Sequence, residues 1–184
     1  MGSNLFSDVE IRIKKRNKLF FSRDSLCLQN LTHLIEGQNH RVLVMWALNC
    51  ARLTLKHFEA EYPHDLRPRI CLEQCEEWAT GKIKMALAKR AILDAHAAAK
   101  DLKDVQNALR CHAIAHAGAT VHVSTHAIGL PIYELTAIVQ QYALKDFQNP
   151  VLTKIKDYIN DLHYWEKHTD QLKRNWAGFM RRHS

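Results

Sequence analysis

Residues that break helices are rare in this chain. Its 184 residues include only 6 glycines and 4 prolines. Glycine and proline are abundant in the turns of loop-rich sandwiches and in many disordered chains, so this composition disfavours both classes. Stretches rich in alanine, leucine, lysine and glutamate favour helix instead. The sequence therefore predicts an all-α protein.

Apolar residues recur with helical spacing along most of the chain and mark about seven helices. Ser25 and Asn39 are positioned to cap the first two, and the prolines at 63 and 68 separate the second from the third. The helices are expected at about 26–36, 40–58, 70–81, 82–100, 102–129, 131–144 and from 151 onward. No repeat of 20–50 residues is present, so a compact bundle is the simplest architecture.

The first 24 residues have a different pattern. Val9, Ile11 and Ile13 alternate with charged residues, which is the period of a strand. A turn after Lys14 and a return through residues 19–21 would complete a short hairpin. Residues 1–24 are therefore interpreted as a basic N-terminal arm or hairpin, and residues 25–184 as a single helical domain.

The cysteine content and the hydropathy pattern indicate a compartment. Five cysteines is an odd number, and reduced thiols are expected in a cytosolic protein. Cys71 and Cys75 are four residues apart, which is not the two-residue gap of a zinc ribbon or a redox pair. No signal peptide and no apolar run of about 18 residues is recognisable. These features predict a cytoplasmic protein without a membrane segment.

Positive charge is concentrated at the two ends of the chain. The net charge is +7, with six basic against three acidic side chains in residues 1–24 and seven against four in residues 151–184. Two solvated terminal segments are the preferred interpretation. The alternative is a basic helical protein that binds nucleic acid, although such a protein usually concentrates its charge along one reading element.

The predicted helix 102–129 carries four histidines on one face. His112, His116, His122 and His126 fall within an arc of about 120° at about 100° per residue. Core histidines bonded to a neighbouring helix are the preferred interpretation. Pairs at i, i+4 also suit a divalent metal such as zinc. The alternative is therefore a metal-dependent enzyme in which another helix supplies a carboxylate, from Asp94, Glu73, Glu76 or Glu77. The glutamate of zinc proteases is missing beside both pairs, and no cofactor is favoured.

Several stretches of the chain resemble a known family. They are Asn39-His40-Arg41 with Trp46-Ala47, the loop Pro63-His64-Asp65-Leu66-Arg67-Pro68-Arg69 with Trp78 and Gly81, Asp94-Ala95-His96, and the run from His116 to Gly129. Over about residues 36–140 they are similar to bacterial "putative immunity protein" sequences, small helical proteins linked to polymorphic-toxin systems. The resemblance implies a cytoplasmic protein that binds a toxin and has no chemistry of its own.

The loop around Arg67 and Arg69 is the best candidate for a functional or framework site. Prolines stiffen it, and the planar guanidinium groups suit carboxylates. The arginines either bind a partner or form an internal clamp with Asp65 or a helix-borne glutamate, and the clamp is preferred because loops need internal tethers to stay ordered. The candidate binding or framework residues are Asp65, Arg67, Arg69, His40, Arg41, Trp78, Asp94 and His96.

These observations lead to a non-enzymatic module as the first hypothesis. No G-x-S-x-G, P-loop or dinucleotide fingerprint is present, which disfavours the enzymes that depend on them. The protein is expected to neutralise a toxin by direct binding, with a protein as its partner. The histidine-based metalloenzyme and the nucleic-acid binder are the two alternatives.

Overall fold

The computed structural model of the chain describes residues 4–181, which contain nine α-helices and no strand. The helices are α1 Ser7–Lys14, α2 Gln29–Glu36, α3 His40–Glu61, α4 Arg67–Ala79, α5 Met85–Asp101, α6 Val105–Ala119, α7 Gly129–Gln141, α8 Gln148–His168 and α9 Gly178–Arg181. The all-α prediction is confirmed. Residues 1–3 of the predicted N-terminal arm lie outside the described residues, as does Arg182 of the basic C-terminal segment.

Helix α6 is the centre of the bundle, with α3, α4, α5 and α7 packed around it and α8 packed on α3. Its alanines at 113, 115 and 117 are fully buried. Small side chains allow neighbouring helices to approach closely. At Gly118 the approach leaves no room for a side chain, because a Cβ there would lie 2.9 Å from the Cys75 Sγ and 3.0 Å from the Cys71 Sγ.

The bundle contains no membrane-crossing helix and no disulfide in its described part. None of the helices within residues 4–181 combines the length and the apolar character that a bilayer span requires. All five cysteines are buried and carry free thiols. Burial raises the pKa of the Cys27 and Cys111 thiols to about 12, which keeps both protonated at neutral pH.

The N-terminal segment contains a helix where the alternation predicted strands. Helix α1 buries Val9 but leaves Ile11 half exposed, so the alternating residues do not share one buried face. Phe6 packs edge-on against Phe147 at the start of α8, with 5.7 Å between ring centroids. The backbone N–H of Phe20 donates to the Thr136 hydroxyl at 3.3 Å. The segment is therefore fixed by aromatic contacts with the bundle and not by strand pairing.

Local capping signals were partly correct. The Asn39 side chain accepts a hydrogen bond from the Arg41 backbone N–H at 2.8 Å, as predicted for the start of α3. The Ser25 side chain caps no helix. It accepts instead from the Ser22 backbone N–H at 3.0 Å, just before a short 3-10 turn at Leu26–Leu28.

The predicted helix 102–129 is wrong, because the chain turns in its middle. Helix α6 ends at Ala119, a 3-10 turn follows at Ser124–His126, and α7 begins at Gly129. The Thr120 hydroxyl donates back to the His116 carbonyl at 3.1 Å and closes the last turn of α6. Of the four histidines of this segment, His112 and His116 therefore lie on α6, His122 lies in the turn after it, and His126 ends the 3-10 turn.

Candidate functional site

Arg67 closes the loop between α3 and α4. Its Nε and Nη2 donate to the two carboxylate oxygens of Asp65 at 2.9 and 2.7 Å, and its Nη1 donates to Asp101 at the end of α5 at 2.7 Å. Hydrogen bonds from Arg67 are the main cause that lowers the pKa of Asp65, and the two carboxylates raise the pKa of Arg67. Arg67 thus links the loop, α4 and α5.

Arg69 has its own carboxylate partners. Its Nε and Nη2 both donate to Glu59 of α3 at 2.6 Å, and its Nη1 lies 3.8 Å from Glu73. The candidate residues Asp65, Arg67 and Arg69 are therefore brought together as a set of ion pairs within the chain. Such pairs fit a framework role, since the arginine charges that a partner could bind are already neutralised by carboxylates of the same chain.

His40 and Arg41 fasten the start of α3. The His40 Nε2 donates to the Thr120 carbonyl at 2.7 Å, just after α6 ends. The Arg41 Nη2 lies 3.4 Å from the Asp170 carboxylate after α8. Both contacts bridge elements that are distant in sequence, and they lie away from the arginine loop.

Four histidines form a cluster between α5, α6 and the turn before α7. We call His96, His112, His116 and His126 the histidine cluster. A hydrogen bond of 2.8 Å joins the Nδ1 atoms of His96 and His112, one ring donating and the other accepting. Ring centroids lie 5.4 Å apart for His96 and His116 and 5.6 Å apart for His116 and His126.

Tyr133 of α7 closes the cluster from one side, with its ring 5.1 Å from His112 and 5.0 Å from His116. His96 is in helical register with Met85, Ala88, Ile92 and Ala99, and this pattern predicts a place in the core beside the histidines of α6. The structure does bring His96 to His112 and His116. His122 lies instead 5.8 Å from the Trp78 ring.

Burial keeps the cluster neutral. Desolvation, reinforced by the neighbouring imidazoles, lowers the pKa of His96 and of His116 to about 4. Desolvation also lowers the pKa of His112 and His126. A neutral imidazole offers one N–H donor and one acceptor, so at neutral pH the cluster can bond a polar group without carrying charge.

The cluster does not have the geometry of a metal centre. Across residues 4–181, no three side chains of His, Cys, Asp or Glu converge as metal ligands. Catalytic zinc sites need three protein ligands and an open position. Among the carboxylates considered for such a site, Asp94 is engaged by Arg90, whose Nε lies 3.1 Å from its Oδ2. Glu73 and Glu76 form ion pairs with arginines. The predicted alternative set His112, His116, His122 and His126 is split between the cluster and Trp78.

An open groove of about 250 Å³ lies beside the cluster. We call it the histidine groove. Its walls come from α4, α5, α6 and the turn before α7, and they include Trp78, Met85, Lys89, Leu93, His116 and His122. Trp78 is itself supported from the C-terminal segment by Phe179, with 5.0 Å between ring centroids.

Sequence reasoning missed this groove. It assigned Met85 and Ile92 to the core in line with His96, whereas Met85 is 47% exposed. The sequence did contain a signal for an exposed face. Met85, Lys89, Leu93 and His96 are three or four residues apart and share one helical face, and that face includes a lysine.

Comparison with known proteins identifies the family. The chain matches the family model described as "Imm-5 like putative immunity protein" over residues 33–161. No curated protein and no solved structure gives a match. The matched stretch contains every candidate site residue and confirms the resemblance proposed from sequence, over a longer range than 36–140. The chain belongs to the Imm-5 like putative immunity protein family.

Proposed function

We propose that this protein neutralises a toxin by binding it directly and blocking its action. Membership of the immunity family over residues 33–161 is the observation that carries this proposal. The partner is a protein toxin, and protection follows from occlusion of a surface that the toxin needs.

Asp65, Arg67, Arg69, His40 and Arg41 act in this proposal as framework residues. Each has a hydrogen-bond or ion-pair partner within the chain, at distances between 2.6 and 3.4 Å. A framework that is already assembled before binding lowers the conformational cost of association. Trp78 and His96 belong instead to the histidine groove, which remains open.

Co-expression tests the function. A toxin domain identified among the genes next to this one would be induced in bacteria with and without this protein, and growth would be recorded. An inactive form of the same toxin domain, mixed with the purified protein, would be analysed by size-exclusion chromatography. We expect restored growth and a co-eluting complex. A toxin domain that stays lethal and forms no complex would overturn the proposal.

The same chromatography discriminates the nucleic-acid alternative. Binding that depends on phosphate contacts weakens steeply as the salt concentration rises, because the release of bound counterions then contributes less free energy to binding. A complex with the toxin domain that persists in the absence of nucleic acid supports the immunity function. Salt-sensitive retention of nucleic acid without toxin binding would favour the alternative.

A further inference from the structure

We propose that the histidine groove is the toxin-docking site and that it receives an apolar side chain flanked by carboxylates. The proposal rests on the immunity function above and names the surface and the chemistry of its partner. The expected ligand is an acidic loop or helix of the toxin with one large apolar residue at its centre.

The groove has the apolar character of a protein contact. Met85 is 47% exposed and Leu93 is 54% exposed on its rim, while Trp78 lies in its wall. Aromatic residues and methionine are enriched in interface cores. The volume of about 250 Å³ is below the range of about 300–1,000 Å³ typical of small-ligand pockets. One side chain of a protein partner therefore suits it better than a free metabolite.

The charge around the groove selects an acidic partner. Residues 82–100 carry five basic side chains and a single carboxylate, Asp94, and that carboxylate is paired with Arg90. The four lysines at 82, 84, 89 and 100 make no ion pair with any described residue. Lys89 lines the groove itself. Complementary charge increases the association rate and suppresses wrong partners.

The imidazoles add hydrogen-bond donors to this positive surface. His96, His116, His122 and His126 line the groove, and an imidazole ring carries at least one N–H donor. A carboxylate of the partner would accept from such a donor and would interact with Lys89 at the same time. Charge-assisted hydrogen bonds of this kind are roughly twice as strong as neutral ones.

A larger groove, of about 530 Å³, also has exposed apolar side chains, Leu53 and Tyr142, but its lining includes the carboxylates of Glu134 and Asp157. It lies between α3, α7 and α8, and its buried carboxylate, Glu134, already has Lys154 at 3.2 Å. The arginines of the loop at 63–69 are likewise matched by Asp65 and Glu59. The lining of the histidine groove combines Lys89 with the exposed apolar side chains of Met85 and Leu93 and contains no carboxylate from residues 4–181, and it lies within the family-matched residues.

Two exposed substitutions test the docking site without disturbing the core. Lys89→Glu reverses the groove charge, and Leu93→Ser removes a rim side chain. Matched controls on the exposed face of α8 are Lys156→Glu and Leu152→Ser. An inactive form of the same toxin domain is the probe. Affinity is measured by calorimetry at low and high salt, and thermal melting verifies that all variants fold.

We expect each groove variant to bind about tenfold or more weakly, as for an interface hot spot, and each control to stay within about twofold of the unsubstituted protein. The Lys89→Glu variant should also lose much of the salt dependence of binding. If folded groove variants bind as the controls do, the docking site is wrong while the immunity function stands. If the unsubstituted protein neither binds nor protects, the function and the docking site both fall.

Discussion

Gly129 lies directly against the imidazole of His116. A Cβ on Gly129 would come within 2.4 Å of the His116 Nδ1, 2.5 Å of its Cγ and 2.9 Å of its Cβ. The ring cannot swing away easily, because Tyr133 stacks on it at 5.0 Å and His96 meets it edge-on at 5.4 Å. The first residue of α7 thus needs to be a glycine for α6 and α7 to meet at the cluster.

Replacing this glycine should destabilise the protein. Gly129→Ala places a methyl group closer to three His116 atoms than van der Waals contact allows. Overpacking of this kind costs about 1–3 kcal/mol, and we expect a loss of that size in the free energy of unfolding measured with urea.

A second glycine provides the control. A Cβ added at Gly178, the first residue of α9, meets nothing within 4 Å. Gly178→Ala should therefore change the free energy of unfolding by no more than about 0.5 kcal/mol. Equal stability of the two variants would show that the contact between Gly129 and His116 is not tight.

The histidine cluster should make stability depend on pH below neutrality. The folded state lowers the pKa of His96 and His116 from 6.5 to about 4, so the unfolded chain binds more protons between these values. Stability is then complete above about pH 6.5 and is lost as pH falls towards 4. After a discount for the partial exposure of both rings, the loss between pH 7 and 5 should be about 2 kcal/mol.

Urea titrations at several pH values would measure this loss. His116→Gln removes one of the titrating rings, so the dependence should become shallower in that variant. The exposed His64 gives the control, since His64→Gln should keep the full slope. A free energy of unfolding that stays constant from pH 7 to 5 would mean that the cluster is not desolvated.

The sequence was sufficient for those parts of the fold that depend on neighbouring residues. The scarcity of breakers predicted helices, and Asn39 was recognised as a cap because its bond to Arg41 spans only two residues. The break after Ala119 was missed because it depends on contacts between elements. No local signal shows that Gly129 must pack against His116. None shows that the helix ends where the Thr120 hydroxyl donates to the His116 carbonyl.

The same distinction applies to the site. Partners for Arg67 could be anticipated from the nearby Asp65, whereas Asp101 lies 34 residues away and could not. The contact between His96 and α6 could be predicted, because His96 lies on the apolar face of its own helix. The groove was not, because the exposure of Met85 and Leu93 depends on how α5 is rotated against its neighbours.

The buried ion pair between Glu134 and Lys154 should contribute to the stability of the folded protein. The Lys154 Nζ lies 3.2 Å from one Glu134 oxygen, and the Tyr158 hydroxyl donates to the other. Lys154→Met would leave a charge in the interior without its counter-ion, which costs about 3 kcal/mol. We expect this loss in chemical denaturation. Lys156→Met, on the exposed side of the same helix, should cost no more than about 0.5 kcal/mol.

A double variant identifies the cause of that loss. Adding Glu134→Gln to Lys154→Met removes the unpaired charge and keeps a side chain of similar shape. Much of the lost stability should therefore return. Two substitutions with additive costs would contradict an electrostatic origin and would indicate that packing around Tyr158 decides the effect.

The clamp at Arg67 should require the guanidinium group and not merely a positive charge. Arg67→Lys keeps the charge but loses the paired bonds to Asp65 and the bond to Asp101, so we expect a cost of about 1 kcal/mol in urea denaturation. Arg90→Lys, whose arginine is 78% exposed, should be nearly neutral. Because Arg67 lowers the pKa of Asp65 below 3.8 in the folded state, the cost should be full at pH 7. It should shrink below about pH 4, where Asp65 of the unfolded chain takes up a proton before the clamped carboxylate does. A cost that persists unchanged at pH 3 would assign the effect to packing of the arginine side chain.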